Sequence, residues 1–338
     1  MVVGVLIGYF VPSVQPAFAT VQFGSVSVPI AVGLLVMMYP VLCKVQYEKL
    51  PSLLSHRSMW QQILISVVLN WIVGPIIMTA LAWATLPDLP GFRTGVILVG
   101  LARCIAMVMI WNDLAGGDPN YCAILVAINA ILQIALFSPY AILFINVVPG
   151  WFGSVDDSMH LTMWPVARAV LIYLGIPLLA GMLTRLVGCM IKGKRWYEQS
   201  FLPHIGPLAL LGLIYTIVVM FANQGHSIIA NIGSVCRVAV PLLIYFIIMF
   251  FATFFSCKAL GIDYPLTVTQ SFTAGSNNFE LAISIAIATY GITSEQALAA
   301  TIGPLIEVPV LLVLVYVAMY LQKKLAWKEL KEEASVVC

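Results

Sequence analysis

Ten apolar runs take up almost the whole of this chain, and most of them are long enough to read as membrane spans. They lie at roughly 1–14, 24–43, 59–86, 94–115, 120–148, 161–190, 203–224, 234–257, 264–290 and 295–322. A helix needs about 20 apolar residues to cross a bilayer. Only 9% of the 338 residues are charged, against about 25% in a soluble domain, so charge is too scarce to cover a water-facing surface. The expected fold class is therefore all-α and polytopic, with ten transmembrane helices. The first run is short: Val2 to Val11 is apolar but has nothing before it to finish a crossing. The expectation is a truncated first helix, its start missing or Met1 an internal start. A signal peptide is not expected, because the run lacks a basic leader and a small-residue cleavage site.

The sparse charges are unevenly shared between the loops. Lys44, Lys49, Arg57, Lys192, Lys194, Arg195, Lys258, Lys323, Lys324, Lys328 and Lys331 follow even-numbered spans. The opposite loops hold Arg93 and the acidic pair Asp156-Asp157. Cytoplasmic loops carry the excess of Lys and Arg, so both termini are expected in the cytoplasm, with ten spans supplying the parity. The same spread of basic residues gives no nucleic-acid footprint. The seven cysteines show no paired spacing and no CxxC, which argues against a disulfide framework.

The loop from Pro149 to Met159 divides the chain into five spans and five spans. Asn129-Ala-Ile-Leu-Gln133 in span five aligns with Gly303-Pro-Leu-Ile-Glu307 in span ten, and the same offset of 174 residues places Cys104 over Asn278. An odd number of spans per copy makes the second copy enter from the other side. Inverted repeats with a site at the midplane are characteristic of secondary transporters. The expected organisation is a first repeat over 1–150, a second over 151–325 and a cytoplasmic tail over 326–338. Span nine carries the polar run Thr269-Gln-Ser-Phe-Thr-Ala-Gly-Ser-Asn-Asn278-Phe-Glu280, and span four has Gly95, Gly100 and Arg103-Cys104. Backbone of this kind is tolerated at membrane depth only when broken and facing a cavity. Both spans are expected to be discontinuous and to cross each other.

A charged or reactive group at mid-span is costly and marks a functional site. Cys104 reads as a thiol available for bonding, with Arg103 as its neighbour in sequence; the alternative is a small core hydrophobe. Glu307 sits between Pro304 and Pro309, where desolvation suits a group that gains and loses a proton. It reads as proton carrier or substrate ligand, against a structural acid paired with an arginine. Asn277, Asn278 and Glu280 offer polar groups to a small solute, or form a helix-packing network. Gln133 and Asn129 are secondary candidates as the repeat partners of Glu307 and Gly303. Arg168, Arg185 and Arg237 lie near span ends and read as snorkelling cations. Trp111-Asn112-Asp113 reads as an interfacial anchor, and Met107 and Met109 as packing. No HExxH, no GxxxxGK[ST] and no ligand spacing among His56, His160, His204 and His226 points to an enzyme. No cofactor is expected.

Gly100-Leu-Ala-Arg-Cys104-Ile-Ala-Met-Val with Trp111-Asn112 resembles the span-four motif of the arsenite efflux permeases, the arsenical-resistance-3 family of the bile/arsenite/riboflavin transporter superfamily. Phe272-Thr-Ala-Gly-Ser-Asn-Asn-Phe-Glu280 resembles its span-nine motif and Gly303-Pro-Leu-Ile-Glu307-Val-Pro-Val its span-ten motif. The resemblance implies two inverted five-helix repeats arranged as a core domain with the crossed helices and a panel domain. It also implies export of trivalent arsenic, as arsenite and sometimes antimonite, in exchange for protons across a plasma, inner or vacuolar membrane. The family's essential cysteine falls on Cys104 and its essential glutamate on Glu307. The chemistry agrees: arsenite is a small neutral trihydroxide with a thiophilic centre, and a single thiol holds it weakly enough to release it. Asn277 and Asn278 would hold the remaining hydroxyls. The competing reading is a sodium-coupled symporter of organic anions, with Asn277, Asn278 and Glu280 as hard oxygen ligands. A third is an intramembrane enzyme or a sensor that binds a metalloid without moving it. Nothing in the chain specifies an oligomer.

Overall fold

The computed structural model describes residues 2–11, 22–23, 26–49, 57–105, 107–151 and 161–327. The expectations for His56, His160, the Asp156-Asp157 pair, Lys328, Lys331 and the tail beyond Trp327 fall outside these residues. The fold is helical. In chain order the helices are α1 (Val2–Phe10), α2 (Val28–Lys44), α3 (Arg57–Val68), α4 (Gly74–Thr85), α5 (Pro90–Leu101), α6 (Met107–Leu114), α7 (Pro119–Ile142) and α8 (Val148–Trp151). They continue as α9 (Met163–Val170), α10 (Ile176–Lys192), α11 (Lys194–Trp196), α12 (Leu202–Ala230), α13 (Ile232–Ala259), α14 (Tyr264–Gly275), α15 (Phe279–Tyr290) and α16 (Glu295–Lys324). A short antiparallel pair, β1 (Gln22–Phe23) and β2 (Val26–Ser27), precedes α2, an addition to the all-helical expectation.

Among the described residues, six continuous stretches are long and apolar enough to cross a membrane: Trp60–Thr85, Pro119–Trp151, Met163–Lys192, Lys194–His226, Ile232–Ala259 and Glu295–Lys324. The other four expected spans are shorter pieces. Two are single helices, α1 and α2, of 9 and 17 residues. Two are split, into α5 with α6 and α14 with α15.

Prolines shape the long stretches. Four times among the described residues the helix widens into one π turn, at Leu69–Val73, Leu143–Val147, Leu171–Gly175 and Tyr197–Phe201. Each turn stops two residues before a proline: Pro75, Pro149, Pro177 and Pro203. Proline has no N–H to donate and its ring crowds the carbonyl four residues back. The residue before it therefore donates one position further, as Gly74 does to Leu69 and Ile176 to Leu171, and the helix continues with a bend rather than a break.

Lipid offers no hydrophobic drive between helices, so close approach of small residues matters more. Gly4 and Gly8 lie on one face of α1 against α12, where a Cβ on Gly8 would stand 2.1 Å from the Ala222 carbonyl oxygen. Helices α1, α2, α10 and α12 pack on one another. Helices α4, α5 and α13 to α16 form a second group, with α7 and α9 against it. The second group holds an aromatic core in which Phe246 meets Phe279 and Phe250 meets Phe254 and Phe272. Both split helices belong to this second group.

Candidate functional site

The two interruptions meet. Helices α5 and α14 are each 12 residues long, each starts at a proline in its first turn, and their first residues are 174 positions apart. Beyond their ends the chain is extended, and Arg103 pairs with Asn277 in an isolated antiparallel bridge. The Asn278 N–H donates to the Ala102 carbonyl at 3.0 Å. The Asn277 side-chain amide donates to the Val99 carbonyl at 2.9 Å and the Ala102 carbonyl at 3.2 Å. One break thus supplies the donors that the end of the other helix needs.

Each break is also held by a long helix thirty residues further on. The Arg103 N–H donates to Gln133 Oε1 at 2.9 Å, and Gln133 Nε2 donates back to the Arg103 carbonyl at 3.0 Å. In the second half the Asn277 N–H donates to Glu307 Oε1 at 3.3 Å. Gln133 and Glu307 are both fully buried. The second oxygen of Glu307 has no partner among the described residues.

After each break a new helix begins, and its first amides need acceptors. Asn278 Oδ1 accepts from the Leu281 N–H at 3.1 Å and caps α15. In the first half the equivalent place is taken by sulfur: Cys104 Sγ accepts from the Val108 N–H at 3.3 Å at the start of α6. The thiol is 2% exposed, and the groups that bear on it electrostatically are Glu307, Glu280 and Ser276. The Arg103 side chain goes elsewhere. Its Nη1 donates to the Tyr245 hydroxyl at 3.0 Å, and that hydroxyl donates to the Ala274 carbonyl at 3.4 Å. Adjacency in sequence does not bring guanidinium and thiol together, because neighbouring side chains in extended backbone point to opposite sides. Arg103 Nε and Nη2, Asn277 Oδ1 and Asn278 Nδ2 remain without hydrogen bonds.

Glu280 stands in the first turn of α15, 6% exposed, where a helix start favours a carboxylate. Glu307 is in no ion pair among the described residues. The ring of Phe279 lies against Gly303, where a Cβ would fall 1.8 Å from it; only glycine lets α16 approach the second break this closely. Asn129 lies apart from the breaks, accepting from Trp71 Nε1 at 3.1 Å.

Several contributors were not marked by the sequence. Tyr245 stood among ordinary aromatic residues of its span. Asn112, expected in an interfacial anchor, is fully buried and accepts from the Thr269 hydroxyl at 2.6 Å, tying α6 to α14. Gln270 donates to the Tyr121 hydroxyl and to the Gln62 carbonyl. Two of the three cations expected to snorkel do otherwise. Arg185 is 1% exposed and bridges Glu48 at 2.6 Å and Glu198 at 3.1 Å. Arg237 pairs with Asp88 and, through those hydrogen bonds, holds the Asp88 carboxyl down at about 2. Each meets a carboxylate that sequence distance conceals. Arg168 is exposed on α9, as a snorkelling cation should be.

No group of three or more His, Cys, Asp or Glu suited to a metal ion occurs among the described residues. The buried Cys104 thiol, two buried carboxyls and unpaired amide groups around two half-helix starts suit a small solute held by one soft bond and several hydrogen bonds.

Comparison with known proteins adds an independent line. The profile of the Sodium Bile acid symporter family matches residues 31–231. The arsenical-resistance protein Acr3 of Corynebacterium glutamicum is 48% identical over 96% of this chain and 87% of its own length. The arsenical-resistance protein Acr3 of Alkaliphilus metalliredigens is 30% identical over 94% of this chain and 88% of its own. An uncharacterized transporter of Synechocystis sp. is 29% identical over 93% and 84%.

Proposed function

This chain belongs to the sodium bile acid symporter family, alongside its arsenical-resistance members, and we propose that it is a secondary transporter exporting arsenite, and antimonite with it, from the cytoplasm in exchange for protons. The observation that carries the proposal is the junction of the two breaks. There a lone buried thiol heads one half-helix, and a buried carboxyl with a free oxygen holds the other.

The architecture proposed for it is ten spans in two inverted repeats, 1–150 and 151–325, with a tail over 326–338. The matched hydrogen bonds support this. Arg103 to Gln133 and Asn277 to Glu307 are related by the offset of 174 residues, and so are the capping residues Cys104 and Asn278, although Cys104 accepts from the fourth residue on and Asn278 from the third. Chance similarity of apolar helices would not reproduce contacts pair by pair. The group of α1, α2, α10 and α12 would serve as the panel, and the group bearing the breaks as the moving core. The basic loops support an orientation with both termini in the cytoplasm, in a plasma, inner or vacuolar membrane.

The chemistry is a ligand exchange on arsenic. The Cys104 thiol gives up its proton, arsenite gives up one hydroxyl, the two leave as water, and an arsenic–sulfur bond replaces an arsenic–oxygen bond. Asn277 Oδ1 and Asn278 Nδ2 are the free hydrogen-bonding groups for the remaining hydroxyls, while Arg103, turned toward Tyr245, holds the junction together. After the core rocks, a proton from outside reaches Glu307; water gives its hydroxide to arsenic and its other proton to the sulfur, restoring the thiol; and as the core returns, Glu307 releases its proton to the cytoplasm. The test is arsenite accumulation in everted vesicles with an acid interior. Cys104→Ser should abolish it, and Glu307→Gln should uncouple it from the proton gradient. Full gradient-driven transport by either variant would overturn that residue's role.

A second reading has one observation behind it. Asn277 Oδ1 and Glu307 Oε2 are unpaired oxygens in one junction, and oxygens of this kind suit sodium. Vesicle uptake that followed a sodium gradient and ignored protons would favour that reading.

A further inference from the structure

The two breaks are held unequally. Gln133 grips the first from both sides, accepting from the Arg103 N–H and donating to the Arg103 carbonyl, at 2.9 and 3.0 Å. At the equivalent place in the second, Glu307 accepts one hydrogen bond at 3.3 Å, and its other oxygen is unpaired. A carboxylate has no N–H to return, so the difference follows from residue type. Backbone geometry is otherwise alike: equal half-helices, a shared bridge and the same thirty-residue reach.

We infer that Gln133 is a positioning residue that fixes the Cys104 break rigidly to α7, leaving the Asn277 break as the compliant half of the junction. The inference deepens the transport reading above and rests on it for its consequence: the thiol is presented from a fixed frame, while the Asn277 break, joined to that frame through the Val99 and Ala102 carbonyls, has one bond to its own long helix and yields there around the solute. Gln133 itself does not contact the substrate. It acts on the peptide unit preceding Cys104, and so on the direction in which the sulfur points at the start of α6. The other buried two-bond side-chain-to-backbone grip, from the Asn277 amide to the Val99 and Ala102 carbonyls, joins the two breaks to each other; only Gln133 ties a break by two bonds to a separate long helix.

The residues invite a swap. Gln133→Glu leaves size and acceptor but removes the returning donor. Glu307→Gln adds a donor to the second break. The experiment is amide hydrogen exchange, followed by mass spectrometry on the full chain in detergent, of peptides spanning 99–105 and 272–280. It compares wild type, Gln133→Glu, Glu307→Gln and the double swap, with thermal melting as the fold control. The 99–105 peptide should exchange about tenfold faster in Gln133→Glu, the fold-change for losing one buried hydrogen bond. The 272–280 peptide should slow in Glu307→Gln, and the double swap should invert the wild-type order of protection. Equal acceleration of both peptides in Gln133→Glu, or an unchanged order in the double swap, would overturn the inference.

The readout needs no arsenite, so it stands or falls apart from the choice of substrate. Where arsenite flux is measurable, Gln133→Glu should raise the arsenite KM about tenfold with maximal flux within about twofold of wild type. A merely structural role would instead lower the amount of folded protein and leave KM alone.

Discussion

At the scale of single residues, the junction depends on groups with few alternatives. Arg103 is a fully buried cation whose side chain donates one hydrogen bond, to the Tyr245 hydroxyl. Removing that hydroxyl leaves the guanidinium without its protein acceptor and frees the Ala274 carbonyl at the end of α14. An unsatisfied partner of a buried charge costs about 1–3 kcal/mol or more. Tyr245→Phe is therefore expected to lower the thermal midpoint in detergent and to slow arsenite flux by about tenfold. A variant with wild-type melting and flux would show that Arg103 is held by other means. Cys104, Glu280 and Glu307 were legible in the sequence because a thiol or carboxyl stands out against an apolar run. Gln133 was legible only as a repeat partner, because what it grips is backbone thirty residues away, and backbone leaves no trace in residue types. Tyr245 was not legible, since an aromatic residue with a polar tip is common in such spans.

At the scale of elements, the break in span nine could be read from its polar run and the break in span four from its glycines and Arg103-Cys104. The π turns could not be read, although the prolines two residues beyond them are the signal. Packing between elements was also hidden. The close approach of α16 to the start of α15 depends on Gly303 facing the Phe279 ring. Gly303→Ala should force ring or helix to shift, costing about 1–3 kcal/mol, with a lower thermal midpoint and impaired flux. Phe279→Leu, made in the same variant, should recover part of the loss. The Arg185 bridge joins the turn after α2 (Tyr47–Lys49) to the turn before α12. Burial works against the Glu48 carboxylate, but hydrogen bonds from Arg185 outweigh it and hold the group below its ordinary range. A carboxylate with a lowered folded value stabilises the fold above its unfolded value, about 4.3, and that contribution fades as pH falls through the folded one. Arg185→Gln should thus destabilise the protein by about 2 kcal/mol at neutral pH, below the figure for a fully buried pair because both carboxylates are a third exposed. Melting measured between pH 7 and pH 3 should show the gap between variant and wild type narrowing in acid.

At the scale of the whole molecule, the charges and the contacts make one joint demand on orientation. The two inverted halves, if paired as their hydrogen bonds indicate, send the loop after α4 and the end of α16 to opposite faces. Asp88 lies in that loop, paired with Arg237 at the start of α13, and is well exposed. Lys323 and Lys324 lie in the last turn of α16, also exposed. In the proposed orientation, argued from the excess of Lys and Arg near the ends of α2, α10, α13 and α16, Lys323 would be cytoplasmic and Asp88 outside. The check is one cysteine at a time, Asp88→Cys or Lys323→Cys, in a background with the native half-buried Cys189, exposed Cys236 and last residue Cys338 replaced by serine. A membrane-impermeant maleimide should label Asp88→Cys in intact cells and Lys323→Cys only in everted vesicles. Labelling of both from the same side would break the inverted relation between the halves. Labelling with the two sides exchanged would keep the repeat but reverse the orientation argued from the charges. The orientation decides which side of the junction meets the cytoplasm, because the junction itself is nearly symmetric in backbone; only its side chains, sulfur against amide and amide against carboxyl, distinguish one face from the other.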